Sequence, residues 1–286
     1  MLMNNPLRYP GAKSKLYDYV KKLLEVEGLV GCTFYEPFAG SATLSWMLLE
    51  ENMVSNVIIN EKDPLLYYFW KAVFDDTDEL INRIENTEIS IENWHLFAQY
   101  RDNNFLIGQN YVDIGFAGLF LNRTNFSGIL KANPLGGLKQ ESEYKIDCRF
   151  NKPKVIQAIR DIAKYKDRVK VCHMDAVQFM KRELRYKRCC KTFVYLDPPY
   201  YDEGPGLYRY YFTEKQHTEL AQYIKTKRFP WLLSYDDTPE IRQLYNRRTC
   251  VNLYLDYSVK TSKKGQEILI SDLEIPPMEQ EISNVG

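Results

Sequence analysis

Apolar residues recur along the chain with two alternating periods, and the alternation predicts the architecture. Leu16, Val20, Leu23 and Leu24 fall at helical spacing over 14–27, and Gly28 stops the run. Thr33-Phe34-Tyr35 reads as a short strand that breaks at Glu36-Pro37. Leu44, Met47 and Leu48 share one face of a helix starting near Ser41, and Val57-Ile58-Ile59-Asn60 reads as a buried strand ending at Glu61. Residues 64–108 look helical, with an aromatic stripe (Tyr67, Tyr68, Phe69, Trp70) expected in the core. Helical spacing returns near 152–165, and strands are predicted at 169–172, 192–196 and 231–234. Two final apolar runs, 251–257 and 267–271, read as an antiparallel hairpin closed by a Lys-rich turn. Such strand–helix alternation builds an α/β sheet. Between Gly115 and Gly137 no period is sustained, and the Gly, Asn, Ser and Pro there predict a loop or hairpin insertion.

Composition adds mainly exclusions. A hydrophobic share of 45% with 27% charged residues is that of an ordinary globular protein, not a disordered or fibrous one. No apolar run reaches the length of a membrane span, and the first residues lack an apolar signal core. Six cysteines without a Cys-x-x-Cys, and three histidines, argue against a zinc site. Adjacent Cys189 and Cys190 fit a reduced compartment, so a cytoplasmic location is expected. The 38 basic and 38 acidic residues cancel, but unevenly. Residues 1–100 hold 8 Lys/Arg against 15 Asp/Glu, whereas residues 101–170 hold 13 against 7, a local basic surface suited to a polyanion.

Four short patterns carry candidate chemistry. Glu36-Pro37-Phe38-Ala39-Gly40-Ser41 sits between a strand and a helix, where Gly40 permits close backbone approach and the helix start offers unpaired N–H groups. Glu61 ends the next strand, where a carboxylate can accept from both hydroxyls of a ribose; Asp63 competes for that role. Asp175 follows the strand at 169–172 and can accept from an adenine amino group. Asp197-Pro198-Pro199-Tyr200 follows the strand at 192–196. Two prolines cannot continue a ladder, so they fix an extended loop in which the Asp197 carboxylate and the Pro198 carbonyl can face one amino group, with Tyr200 offering a ring to a base.

Asp197-Pro-Pro-Tyr200 with Glu36-Pro-Phe-x-Gly40 resembles the Dam-type, class α (D12) DNA adenine N6-methyltransferases. Leu7-Arg8-Tyr9-Pro10-Gly11-Ala12-Lys13 resembles their opening motif, Leu121-Asn122-Arg123-Thr124-Asn125-Phe126-Ser127-Gly128 their recognition-domain signature, and Gln266-Glu267-Ile268-Leu269-Ile270 their end strand. The similarity spans residues 6 to about 271. It implies a Rossmann-like methyltransferase sheet with an antiparallel C-terminal hairpin (1–70 and 166–286). The inserted target-recognition domain (71–165) would be mainly helical with a β-hairpin.

The resemblance further implies methyl transfer from S-adenosyl-L-methionine, leaving S-adenosylhomocysteine, to the N6 amine of a flipped adenine in a specific double-stranded DNA sequence. The same chemistry on RNA adenine or DNA cytosine-N4 is the alternative. Tyr9, Lys13, Glu36 to Ser41, Glu61, Asp175 and Asp197 would hold the cofactor, and Asp197 to Tyr200 the target base. Arg123, Asn125, Phe126, Ser127, Ile129, Lys131 and Lys139 would contact DNA, with Lys263 and Lys264 in the hairpin turn. A cognate restriction endonuclease is a possible partner, and no membrane is expected. Phe126-Ser127-Gly128-Ile129-Leu130-Lys131 departs from the Asn-Gly-Leu-x-Arg run of GATC-specific members, which counts against a GATC target.

Overall fold

The computed structural model describes residues 4–8, 13–185, 191–246, 248–255 and 265–273. Its frame is a seven-stranded sheet of β1 (Cys32–Glu36), β2 (Val54–Asn60), β3 (Val169–Cys172), β4 (Thr192–Leu196), β5 (Trp231–Asp236), β6 (Thr249–Leu255) and β7 (Gly265–Ser271). The strand order is β3-β2-β1-β4-β5-β7-β6. Neighbours from β3 through β5 are parallel, whereas β7 runs antiparallel between β5 and β6. This is a Rossmann-like α/β sheet that ends in the antiparallel hairpin expected from the sequence. Every residue of β4 is buried, as a strand covered on both faces requires. The chain walks outward from β1 to β3 and then returns to β4, so β1 and β4 flank the point where strand order reverses. Ligands of such sheets bind there, beyond the carboxyl ends of the strands.

The helices are α1 (Tyr17–Val26), α2 (Thr43–Glu50), α3 (Pro64–Asp75), α4 (Thr77–Asn86), α5 (Ile91–Ala98), α6 (Tyr111–Thr124), α7 (Lys152–Ala163), α8 (Ala176–Glu183), α9 (Gly204–Leu207), α10 (Glu214–Ile224) and α11 (Pro239–Leu244). One core joins Phe34 and Ile59 of the sheet to Phe69, Trp70, Phe116, Phe120 and Ile159 of the helices on one face. The other face packs Tyr35 and Tyr235 against Phe179 and Leu220. The aromatic stripe divides as its helical spacing requires: Phe69 and Trp70 are fully buried, Tyr67 and Tyr68 half-buried.

The stretch from Gly115 corrects the loop expectation. Residues Tyr111–Thr124 form an almost wholly buried helix, started by the Asn110 side chain accepting the Val112 N–H at 2.8 Å. Buried on nearly all sides, α6 has no polar face to mark a 3.6-residue period. Its glycines are packing sites: a Cβ on Gly115 would lie 2.6 Å from the Tyr68 backbone, and one on Gly118 2.5 Å from the Leu65 carbonyl oxygen. The β-hairpin expected between 71 and 165 is also absent. A single antiparallel bridge, Asn125 with Pro134, stands in its place, because Gly128 and Ser127 turn the chain through left-handed backbone instead of extending it (φ 76° and 53°).

Candidate active site

Glu36 and Asp197 leave adjacent strands at the reversal point, and both line one cleft with an empty volume of about 1060 Å³ counting its open mouth. The Glu36–Ser41 turn forms its floor. Gly40 takes positive φ (49°), its N–H donates to Glu61 Oε2 at 2.9 Å, and its carbonyl accepts from Trp70 Nε1 at 2.9 Å. Core packing of α3 thereby sets the loop's height. Asn60, buried at the end of β2, donates to the Pro37 and Met174 carbonyls, both at 3.0 Å, and joins the β1 and β3 loops.

Glu61 also accepts the Asp63 N–H at 2.8 Å. Asp63 is committed elsewhere: it caps α3 through Leu65 N and pairs with Arg209 at 2.6 Å. Burial pushes the Glu61 carboxyl up to about 7, with the Asp63 charge adding to it. Burial likewise pushes Glu36 up to about 8, against the Ser45 hydroxyl that donates to it at 2.5 Å. Among the described residues no cation bonds either carboxylate.

A second network fixes the Asp197-Pro-Pro-Tyr200 loop. The Ser234 hydroxyl donates to Asp197 Oδ1 at 2.7 Å, and Lys13 Nζ lies 3.4 Å from the same oxygen. Buried Lys13 donates to both carboxylate oxygens of Glu267, at 3.0 and 2.9 Å, and to the Tyr200 hydroxyl at 2.9 Å. Tyr200 in turn donates to Glu267. The ammonium lies 5.3 Å from the Tyr200 ring centroid. Burial raises the Asp197 carboxyl above the usual range, opposed first by Lys13. The loop after β4, the N-terminal segment and β7 are thus locked together by one lysine.

The structure gathers Lys13, Glu36, Pro37, Phe38, Ala39, Gly40, Ser41, Glu61, Asp197 and Pro199 around the cleft. Pro198 is buried behind it. Asp175 is not in the lining. Its carboxylate caps α8 through Val177 N and Gln178 N, and only its neighbour Ala176 reaches the cleft wall. Tyr9, Lys263 and Lys264 lie outside the described residues.

On the insertion side, Gly128, Ile129 and Leu130 form part of the cleft wall, and Phe126 is 59% exposed beside them. Lys131 reaches the carbonyls of Pro205 and Tyr208, while Lys139 is exposed and Ser127 half-buried. Arg123 is half-buried, and burial with the nearby Arg8 lowers its guanidinium to about 10. Asn125 is corrected outright as a DNA contact. It is fully buried, accepts from Trp94 Nε1 at 2.7 Å and donates to the Ile129 and Leu130 carbonyls, so it shapes the loop. Asn122 does the same on the other side, clasping the Arg8 backbone and the Gly128 carbonyl.

With this geometry in place, similarity to known proteins becomes decisive. Residues 9–262 match the model of the D12 class N6 adenine-specific DNA methyltransferases. The chain belongs to that family. Two Type II methyltransferases are similar to it. M.CviBI of Paramecium bursaria Chlorella virus NC1A is 24% identical over 265 residues, covering 85% of this chain and 88% of that one. M.MjaIII of Methanocaldococcus jannaschii is 25% identical over 213 residues, covering 68% of each. An rRNA methyltransferase of Streptomyces viridochromogenes superposes with a TM-score of 0.31 at 12% identity over 88% of this chain and 84% of that one, too loosely to bear on function. The enzyme carries out S-adenosylmethionine-dependent methylation of adenine in DNA. Among the described residues no helix is long and apolar enough to cross a membrane, and no cluster of metal-ligating side chains occurs.

Proposed function

We propose that the cleft takes S-adenosyl-L-methionine and a flipped adenine side by side, and that Asp197 to Tyr200 activate the adenine amine. The observation that carries this reading is the one-sided pinning of Asp197. Ser234 and Lys13 both occupy Oδ1, and Oδ2 has no partner among the described residues. Oδ2 and the Pro198 carbonyl are then two acceptors for the two hydrogens of one amine. Accepting both favours a pyramidal nitrogen whose lone pair is localised, so orientation and electrostatics supply the acceleration. Tyr200, held by its hydroxyl, offers a ring to the base. Such stacking is worth about 1–3 kcal/mol and offsets part of the cost of flipping.

The donor set fits the cofactor. Glu36 and Glu61 are carboxylates pushed up by burial and, among the described residues, paired with no cation, which suits a ligand carrying positive charge. Glu61 would take the ribose hydroxyls, the Phe38–Ser41 turn the methionine part, and the β3–α8 corner at Ala176, held in place by the Asp175 cap, the adenine. When bound, S-adenosyl-L-methionine supplies a methyl group on a sulfonium, and S-adenosylhomocysteine leaves.

Residues 71–165 form the recognition unit in this reading, acting on double-stranded DNA in the cytoplasm. Phe126 is the wedge, while Ile129, Lys131, Lys139, Ser127 and Arg123 form the surface toward bases and phosphates. Lys263 and Lys264 would hold the backbone near the flipped base. That both relatives are Type II methyltransferases supports a place in a restriction–modification system with a cognate endonuclease. Calorimetry on Glu61→Ala tests the cofactor assignment: weakened S-adenosylmethionine binding with an unchanged melting temperature is expected, and unchanged affinity would overturn it.

A further inference from the structure

Arg209 belongs to none of the motifs read from the sequence. It lies on the segment after Tyr200, where Leu207, Arg209 and Phe212 line the cleft. Its side chain is 9% exposed, as is that of Asp63, and its Nη1 donates to Asp63 Oδ1 at 2.6 Å. Nη2 donates to the Arg101 carbonyl at 2.7 Å, so the guanidinium is held from both sides. Asp63 donates its own N–H to Glu61 Oε1 at 2.8 Å. Arg209, Asp63 and Glu61 therefore form one continuous chain of contacts in the cleft wall.

We infer that Arg209 is a positioning residue that keeps the Glu61 carboxylate able to accept the cofactor's hydroxyls, by neutralising Asp63 beside it. The inference rests on the reading that this cleft takes S-adenosylmethionine. Two carboxylates two positions apart in a buried wall oppose each other's ionisation, and Arg209 is the cation bonded to one of them. Without it, Asp63 would keep only the Leu65 N–H and be a buried charge with no bonded cation, a costly state that is relieved by taking up a proton nearby. A protonated Glu61 loses an acceptor.

The other charged groups around Glu61 do not substitute for Arg209. Lys62 is directed to Asp175 at 3.5 Å. His173 contacts the Glu61 carbonyl at 2.8 Å and stacks on Tyr67. Lys13 is engaged with Glu267 and Asp197, and Glu36 adds only further negative charge. Arg101 stacks its guanidinium on Trp94, 4.9 Å from the ring centroid, and donates to the Ala132 carbonyl.

Charge arithmetic gives the test a sign that a merely structural role lacks. In the full-length enzyme, Arg209→Gln should raise KM for S-adenosylmethionine by about tenfold and change kcat by less than about threefold. The pH above which the cofactor binds well should move upward. Asp63→Asn should move that pH downward, because Arg209 is then a cation with no acid between it and Glu61. The double variant Asp63→Asn/Arg209→Gln should return KM to within about threefold of wild type, since a neutral pair leaves no orphan charge. An unchanged KM in Arg209→Gln, a shift of the same sign in both single variants, or a double variant no better than Arg209→Gln would each overturn the inference. If Arg209→Gln does not fold, Asp63→Asn alone still gives the sign. Glu61→Ala separates the two readings. If it too leaves KM unchanged, the cofactor assignment fails; if it weakens binding while Arg209→Gln does not, only the role of Arg209 fails.

Discussion

The Ser234 hydroxyl, on β5, donates to Asp197 Oδ1 across 2.7 Å at the end of β4. Ser234 is fully buried, and its oxygen also contacts the Tyr195 hydroxyl at 2.9 Å. The carboxylate proposed to meet the target amine is thus oriented from the neighbouring strand and not by its own loop. A hydrogen bond to a charged group is worth about 1.5–3 kcal/mol, so Ser234→Ala should lower kcat by about tenfold or more. Steady-state kinetics should show KM for S-adenosylmethionine nearly unchanged.

The raised carboxyls make stability depend on pH. Glu36 is held at about 8 and Glu61 at about 7, both above the ordinary 4.5. Between these limits the folded state binds more protons than the unfolded one, so the ligand-free enzyme should lose stability as pH rises from about 5 to 8. Glu36→Gln should flatten that decline in thermal melts followed by circular dichroism. A positively charged ligand reverses the preference, so the pH dependence should weaken when saturating S-adenosylmethionine is present.

Much of this was legible in the chain. Strands β1 and β4 show as apolar runs ended by Glu36 and Asp197 because they are central and buried, and β2 shows through its buried second half before Glu61. Strand β3, at the edge and buried only at Cys172, shows more weakly. Helix α6 was illegible for the opposite reason: it is buried nearly all round, and its glycines look like loop residues when they are contact points with α3. Ser234 and Arg209 gave no local signal, since their meaning comes from a neighbouring strand and from Asp63, 146 positions away. Glu267 was read within an end-strand pattern, but its bond to Lys13 spans 254 positions. Asn125 looked like a reader of bases because it is polar in a recognition signature. Burial makes it a brace.

The close approach of α3 and α6 supports the loop that borders the cleft. Gly118→Ala would place a methyl 2.5 Å from the Leu65 carbonyl oxygen. Overpacking of this kind costs about 1–3 kcal/mol. Urea denaturation should show a lower midpoint without a change in slope, and a stability equal to wild type would mean that the two helices can separate freely.

Lys131 tests recognition. Its ammonium is lent to the Pro205 and Tyr208 carbonyls, at the far side of the cleft mouth. If it exchanges these for a base edge, Lys131→Ala should relax preference at one base pair by about 1–3 kcal/mol. Sequencing of modified sites in DNA from cells expressing each form reads this directly. Undiminished selectivity would move base reading elsewhere in the insertion.

The most direct measurement is of the product. Purified wild-type enzyme and Asp197→Asn are incubated with duplex DNA and S-adenosylmethionine carrying a labelled methyl group, and the DNA is digested to nucleosides for chromatography and mass spectrometry. Wild type should yield labelled N6-methyladenine and Asp197→Asn essentially none, while both bind the cofactor alike in calorimetry. Label on another base, or substantial N6-methyladenine from Asp197→Asn, would contradict the role given to this carboxylate.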